Sequence, residues 1–186
     1  MAYTGSEDLE KIIQGCIRKN DKSREMLYKQ YFGYALSVAL LYNNQRDDAL
    51  EVVNDSFMKV FSEIRRFNTS LPFKGWLRKI VINTSIDRLR KKNRMKNIEP
   101  DNEPVREEHL NPDAISNLTA QEIISLLNQL PEVHKTIFCL YEIDGYNHEE
   151  IAAKLKIPES SSRVYLTRAK KKMRELLLTH YNRNHI

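Results

Sequence analysis

Glycine is scarce in this chain: five in 186 residues, at positions 5, 15, 33, 75 and 145. None falls in a GxGxxG or phosphate-loop spacing, so no glycine-lined cradle for a dinucleotide or nucleoside triphosphate is present. Cysteine is scarcer still. Cys16 and Cys139 stand far apart among apolar residues at helical spacing and read as small buried side chains, not as a bridge or metal ligands. Other ligand patterns are missing too. His148 and Glu149 begin like a zinc-protease helix, but the second histidine would fall on Ala152, and no histidine has a glutamate three residues before it, as a carboxylate-bridged di-iron site requires. Asp48, Glu51 and Asp55 read as a solvated acidic face. The expectation is no metal, no cofactor, no catalytic constellation and so no enzyme. Long apolar runs are also lacking: the stretch 34–42 is interrupted by Ser37 and falls short of the roughly 20 residues that span a bilayer. Glu7, Asp8 and Glu10 occupy the place where a leader needs a basic flank and an apolar run. A cytoplasmic protein without membrane insertion is expected. Finally, no segment alternates apolar and polar residues long enough to argue for a strand.

What remains is helical. Hydrophobic residues make up 41% of the chain and charged residues 30%, enough for a modest core and a soluble surface. Leu9, Ile12, Ile13, Cys16 and Ile17 form one stripe, and a longer segment through Tyr31, Leu36 and Leu41 is apolar on more than one side. The next helix begins near Asp47 and turns Ala49, Val52, Val53, Phe57 and Val60 inward. The loop formers Asn68, Thr69, Ser70 and Pro72 interrupt the pattern. Trp76, Leu77, Ile80, Val81 and Leu89 restore it, with Trp76 read as core, before a basic end. Residues 97–117 carry three prolines and few apolar groups, a composition that reads as a linker. Within it, 99–113 has a net charge of −5, so the rest carries +10 against the overall +5. A polyanionic partner follows from that distribution.

The richest stretch is 146–173. Asn147 and Glu150 have capping-box spacing ahead of Ile151, Ala152 and Leu155, and Pro158 closes that helix. Lys156, Ile157 and Pro158 form a turn, with Ser160 or Ser161 expected to cap the helix that follows. There Leu166, Ala169, Met173 and Leu177 recur on one face, leaving Ser160, Arg163, Val164, Thr167, Arg168 and Lys171 on the other. This is a helix-turn-helix with cations where a DNA groove could meet them.

Three motifs in order resemble the bacterial RNA polymerase sigma factors of the sigma-70 family, in the small two-domain extracytoplasmic-function branch. The segment 48–57, DALEVVNDSF, resembles the family's D-A-E-D-x-V-Q-E-x-F. Phe73, Trp76, Leu77, Ile80, Asn83, Asp87 and Arg90 match its F-x-x-W-L-x-x-I-x-x-N-x-x-x-D-x-x-R stretch. Leu130-Pro131, Gly145-Tyr146, Glu150-Ile151-Ala152, Ile157-Pro158, Arg163, Leu166 and Arg168-Ala169 fall in register with its second-domain pattern. The chain departs from the family at Ser160-Ser161-Ser162, where Gly-Thr-Val is common, which places a hydroxyl at Ser162 where a core-facing valine is usual. Tyr165 replaces a frequent arginine.

The resemblance implies an all-α protein of two helical domains, 1–96 and 118–186, joined by a flexible acidic linker at 97–117, the C-terminal domain carrying the helix-turn-helix. It implies core RNA polymerase and promoter DNA as partners and admits an anti-sigma factor. Asp48, Glu51, Asn54 and Asp55 would face the polymerase. Phe67, Asn68, Thr69, Asn83, Arg88 and Lys91 would serve the downstream promoter element, with Phe67 and Asn83 holding an unstacked base. Ser160, Ser161, Arg163, Val164, Thr167, Arg168 and Lys171 would serve the upstream element. The competing reading is a helix-turn-helix regulator that binds DNA independently of polymerase.

Overall fold

The structure, a computed structural model, describes residues 7–94 and 119–184. Among these there is no strand, and no helix is long and apolar enough to cross a membrane. The chain divides into two compact units, Met1–Asp87 and Arg88–Ile186. The stretch 97–117 expected as a linker lies outside the described residues.

In the first unit, α1 (Glu7–Ile17) and α2 (Asp21–Tyr42) form a helical hairpin. The Asn20 side chain accepts from the Ser23 amide at 2.9 Å and so starts α2 by satisfying one of its unpaired amides. The hairpin is tight at Gly15: a Cβ there would stand 2.0 Å from Ser23 Oγ. Helix α2 buries Leu27, Tyr31, Ala35, Leu36, Val38, Ala39 and Tyr42, more than one stripe wide, because it is enclosed by neighbours. Helix α3 (Arg46–Glu63) turns Ala49, Val52, Val53, Ser56, Phe57 and Val60 inward. A single 3-10 turn, Ile64–Arg66, reverses the chain before α4 (Phe73–Arg94). Asn43 Nδ2 donates to Ala39 O (2.8 Å) and to Ser85 Oγ (3.2 Å), so the polar break after α2 is tied to α4 inside the core.

The second unit contains α5 (Ala120–Leu127), α6 (Glu132–Phe138), α7 (His148–Leu155) and α8 (Glu159–Asn184). Both α5 and α7 begin in reciprocal capping boxes, Thr119 with Glu122 and Asn147 with Glu150. Pro131 precedes α6, where its missing N–H would have had no partner. Directly after α6, Cys139–Ile143 is a π turn, closed by Asp144 N–H donating to Cys139 O at 3.0 Å. The widened turn keeps Cys139 and Leu140 buried while Tyr141 and Ile143 stand 38% and 45% exposed. Gly145 then takes φ +72, a left-handed conformation that costs glycine little and reverses the chain into α7. Ile151, Leu155, Leu166, Ala169 and Met173 close the core of the helix-turn-helix.

Candidate functional site

The outward face of α3 follows from its inward one. With Val52, Val53, Ser56 and Phe57 buried, Glu51, Asn54 and Asp55 are exposed and Asp48 is half-buried. Tyr28 donates its hydroxyl to Asn54 Oδ1 at 3.0 Å, which holds that amide in place from α2. Met58, one turn beyond Asn54, is 69% exposed. Its helical register with Glu51, Asn54 and Asp55 was the available clue; the acidic face ends, one turn on, in an exposed apolar side chain.

The loop before α4 turns one of its candidate residues inward. Phe67 is a core residue, 9% exposed, with its ring 5.4 Å from that of Phe73 and 5.1 Å from that of Trp76. Tyr31 extends the cluster at 4.7 Å from Phe73. The 3-10 turn directs Phe67 inward, and withdrawing a packed ring to stack on a base would give up about 2–3 kcal/mol of burial. Trp76 is half-buried in the same cluster. The exposed part of the loop is Asn68, Thr69, Ser70 and Leu71, the last 60% exposed. Asn68 Oδ1 accepts from Ser70 N–H at 3.0 Å and Asn68 O from Leu71 N–H at 3.0 Å, so the tip is a defined turn that holds Leu71 outward. Along α4, Asn83 and Lys91 are exposed and Arg88 half-buried. Lys59 of α3 donates to Thr84 Oγ1 at 3.1 Å and stands 3.6 Å from Asp87, fixing this part of α4 against α3.

In the helix-turn-helix, α7 ends at Lys156 in the left-handed region, φ 57, and Ile157 N–H donates to Ala152 O at 3.2 Å. Helix α8 starts at Glu159, directly after Pro158, so Ser160 and Ser161 lie inside its first turn and do not cap it. Proline supplies the fixed φ for that entry, and Ser162 N–H donates to Pro158 O at 3.2 Å. Ser160, Arg163, Val164 and Thr167 are exposed on one face, with Ser161 and Lys171 half-buried beside them. Arg163 pairs with Glu159 one turn back, and Thr167 Oγ1 donates to Arg163 O at 2.9 Å. Arg168 is placed differently from Arg163. It is half-buried, with Nε and Nη1 shut off from solvent, because it stands at the margin of the face near the α8 core stripe.

Around the start of α7 and α8 lies a group of contacts that the pattern of the sequence does not reveal. Ser162 is fully buried, and its Oγ is 2.9 Å from His148 Nδ1. The His148 ring stacks on Tyr141 of the π turn at 4.7 Å and 29°. Lys170 places its ammonium 5.7 Å from the centre of the Tyr141 ring and 2.7 Å from Glu142. Burial first, then the Arg163 guanidinium, hold the His148 imidazole below the ordinary histidine range, with Glu159 opposing and Lys170 adding to the depression. Tyr165 packs on His134, with ring centres 4.9 Å apart.

Comparison with known proteins places both units. The family model for sigma-70 region 2 matches residues 27–95, and that for sigma-70 region 4 matches residues 120–173. The RNA polymerase sigma factor SigV of Bacillus subtilis is 30% identical over 137 residues, covering 74% of this chain and 80% of that protein. The ECF RNA polymerase sigma factor SigE of Mycolicibacterium smegmatis is 27% identical over 85% of this chain, which spans 63% of that protein's length. The ECF RNA polymerase sigma-E factor of Haemophilus influenzae is 26% identical, covering 87% of this chain and 89% of that protein.

Proposed function

Because this chain belongs to the RNA polymerase sigma-70 family, in its extracytoplasmic-function branch, we propose that it is a promoter-directing subunit of RNA polymerase in the cytoplasm. It binds the core enzyme, brings it to specific promoters and assists opening of the duplex, with no chemistry of its own. The observation that carries this reading is the succession, in one chain, of a region 2 match with an acidic outward helix face and a region 4 match with a cationic helix-turn-helix.

On this reading the α3 face docks on the core enzyme. Asp48, Glu51 and Asp55 supply charge that favours encounter and orientation, Asn54 is held in place by Tyr28, and Met58 adds an exposed apolar contact at the end of the face. The downstream element is met by the loop tip and α4. With Phe67 packed in the core, the groups available to a separated strand are Asn68, Thr69 and Leu71 with Asn83, while Arg88 and Lys91 meet phosphates. The upstream element is met by α8, where Arg163 has the exposure and the planar fork that suit guanine, and Ser160, Ser161, Val164 and Thr167 line the same face. Arg168 and Lys171 flank it. The salt bridge between Arg163 and Glu159 keeps the guanidinium extended along the helix until DNA arrives.

Transcription from a panel of promoter templates with purified core polymerase, with and without this protein, tests the assignment. Start-site-specific transcripts that depend on the protein are expected. Tight promoter binding by the free protein together with no stimulation of the core enzyme would replace it with an independent DNA-binding regulator.

A further inference from the structure

Ser162 raises a physical problem of its own: a hydroxyl with no solvent exposure, at the second turn of the helix that presents Arg163 and Val164. A buried hydroxyl left without a partner costs about 1–3 kcal/mol, so the site must satisfy it. It does so with His148, the first residue of α7, at 2.9 Å. An apolar contact at this place would tolerate small rotations of α8 against α7. A hydrogen bond does not, because its strength falls steeply with misalignment. The imidazole is in turn held edgewise: Tyr141 stacks on its face at 4.7 Å, and Lys170, pinned 2.7 Å from Glu142, covers the Tyr141 ring. These contacts link the π turn, the start of α7 and two turns of α8. Ser162 is also followed directly by Arg163, so the rotation fixed at one sets the direction of the other.

We propose that His148 and Ser162 form a positioning pair that sets the rotation of α8 on α7, and through it the base readout by Arg163 and Val164. The proposal rests on the reading of α8 as the DNA-contacting helix. The pair touches no base. It converts the packing of the two helices from an adjustable apolar contact into a directional one, so its removal loosens discrimination between sequences more than it weakens binding in general. The low basicity of His148 supports this, since a neutral ring shares the hydrogen bond without bringing a second cation beside Arg163.

The experiment uses the full chain bound to core polymerase, with competition binding over a series of single-base changes in the upstream element and a thermal midpoint for each variant. Ser162→Thr and Ser162→Val are nearly isosteric and differ by one hydroxyl; His148→Phe keeps the stack on Tyr141 and removes Nδ1. Ser162→Thr is expected to discriminate as the native chain does. Ser162→Val and His148→Phe should each flatten discrimination by about fivefold, the scale of one net hydrogen bond, at the positions that Arg163→Ala also flattens. The double variant should be no worse than either single one. Native discrimination by Ser162→Val, or losses that multiply in the double variant, would overturn the pair. If Arg163→Ala flattens discrimination and Ser162→Val does not, the positioning role alone fails. If Arg163→Ala, Val164→Ala and Thr167→Ala all leave discrimination unchanged, the assignment of α8 as the base reader fails and takes the pair with it.

Discussion

Lys135 has no solvent exposure, and its ammonium donates to Asn128 Oδ1 at 2.6 Å. Burial pushes its pKa down to about 8 from 10.5, against smaller opposing effects of Cys139 and Glu132. The folded chain therefore gives up this proton near pH 8 and the unfolded chain only near 10.5. Between those values the unfolded state binds more protons, so this group makes the second unit more stable as pH rises, and at pH 7 it leaves a deficit of about 3 kcal/mol. Lys135→Met is expected to raise the stability of the second unit at pH 7 by about 1–2 kcal/mol, part of the gain being lost to the unpaired Asn128, and to flatten its pH dependence from 8 to 10. Denaturant melts at several pH values measure both; an unchanged slope would show that the amine titrates normally. Lys156 offers a second test at this scale. It holds φ 57 at the end of α7 with a Cβ, where glycine carries no steric penalty. Lys156→Gly should stabilise the unit by about 1 kcal/mol, read as a higher denaturation midpoint with the same m-value.

Helix α3 is amphipathic in charge as well as in polarity: Val52, Val53 and Phe57 face in, while Glu51, Asn54, Asp55 and Met58 face out. Reversing charge on the outward face leaves the inward packing intact. Asp48→Lys with Asp55→Lys should weaken binding to core polymerase by tenfold or more without altering helix content, and Met58→Ala should weaken it about fivefold, as loss of a buried interface contact does. Undiminished affinity in a titration would move the docking surface elsewhere. Helix α8 divides differently along its length. Arg163→Ala should cost about 1–3 kcal/mol on the preferred upstream sequence and relax one base position. Lys171→Ala should weaken all sequences alike and reduce the salt slope by about one unit. Equal losses on every sequence for Arg163→Ala would shift base reading to Val164, Thr167 and the serines.

For the whole molecule, the two units carry separate cores: Leu27, Phe57, Ile64 and Leu77 in the first, Leu127, Ile137, Leu140 and Ile151 in the second. Segments 1–94 and 119–186 produced separately are expected to melt cooperatively, and neither alone should support promoter-directed transcription by core enzyme; a segment without a cooperative melt would show that its core depends on the other. By itself the sequence determined the all-helical architecture, the capping box at the start of α7, the inward faces of α3 and α8 and the place of the helix-turn-helix. These follow from spacing of 3.6 residues, from short polar side chains at helix starts and from proline, all of which act within a few residues of the chain. The tertiary structure decided the rest. Nothing local distinguishes Phe67 in the core from Phe67 at a loop tip; the rings of Phe73 and Trp76, brought to it by the 3-10 turn, do. No pattern marks Lys135 as buried or Cys139–Ile143 as a π turn, because packing between helices chose them against local preference. Ser162 reads in the sequence only as a departure from an expected valine; that its hydroxyl is matched by His148, fourteen residues away, is a fact of how α7 and α8 meet.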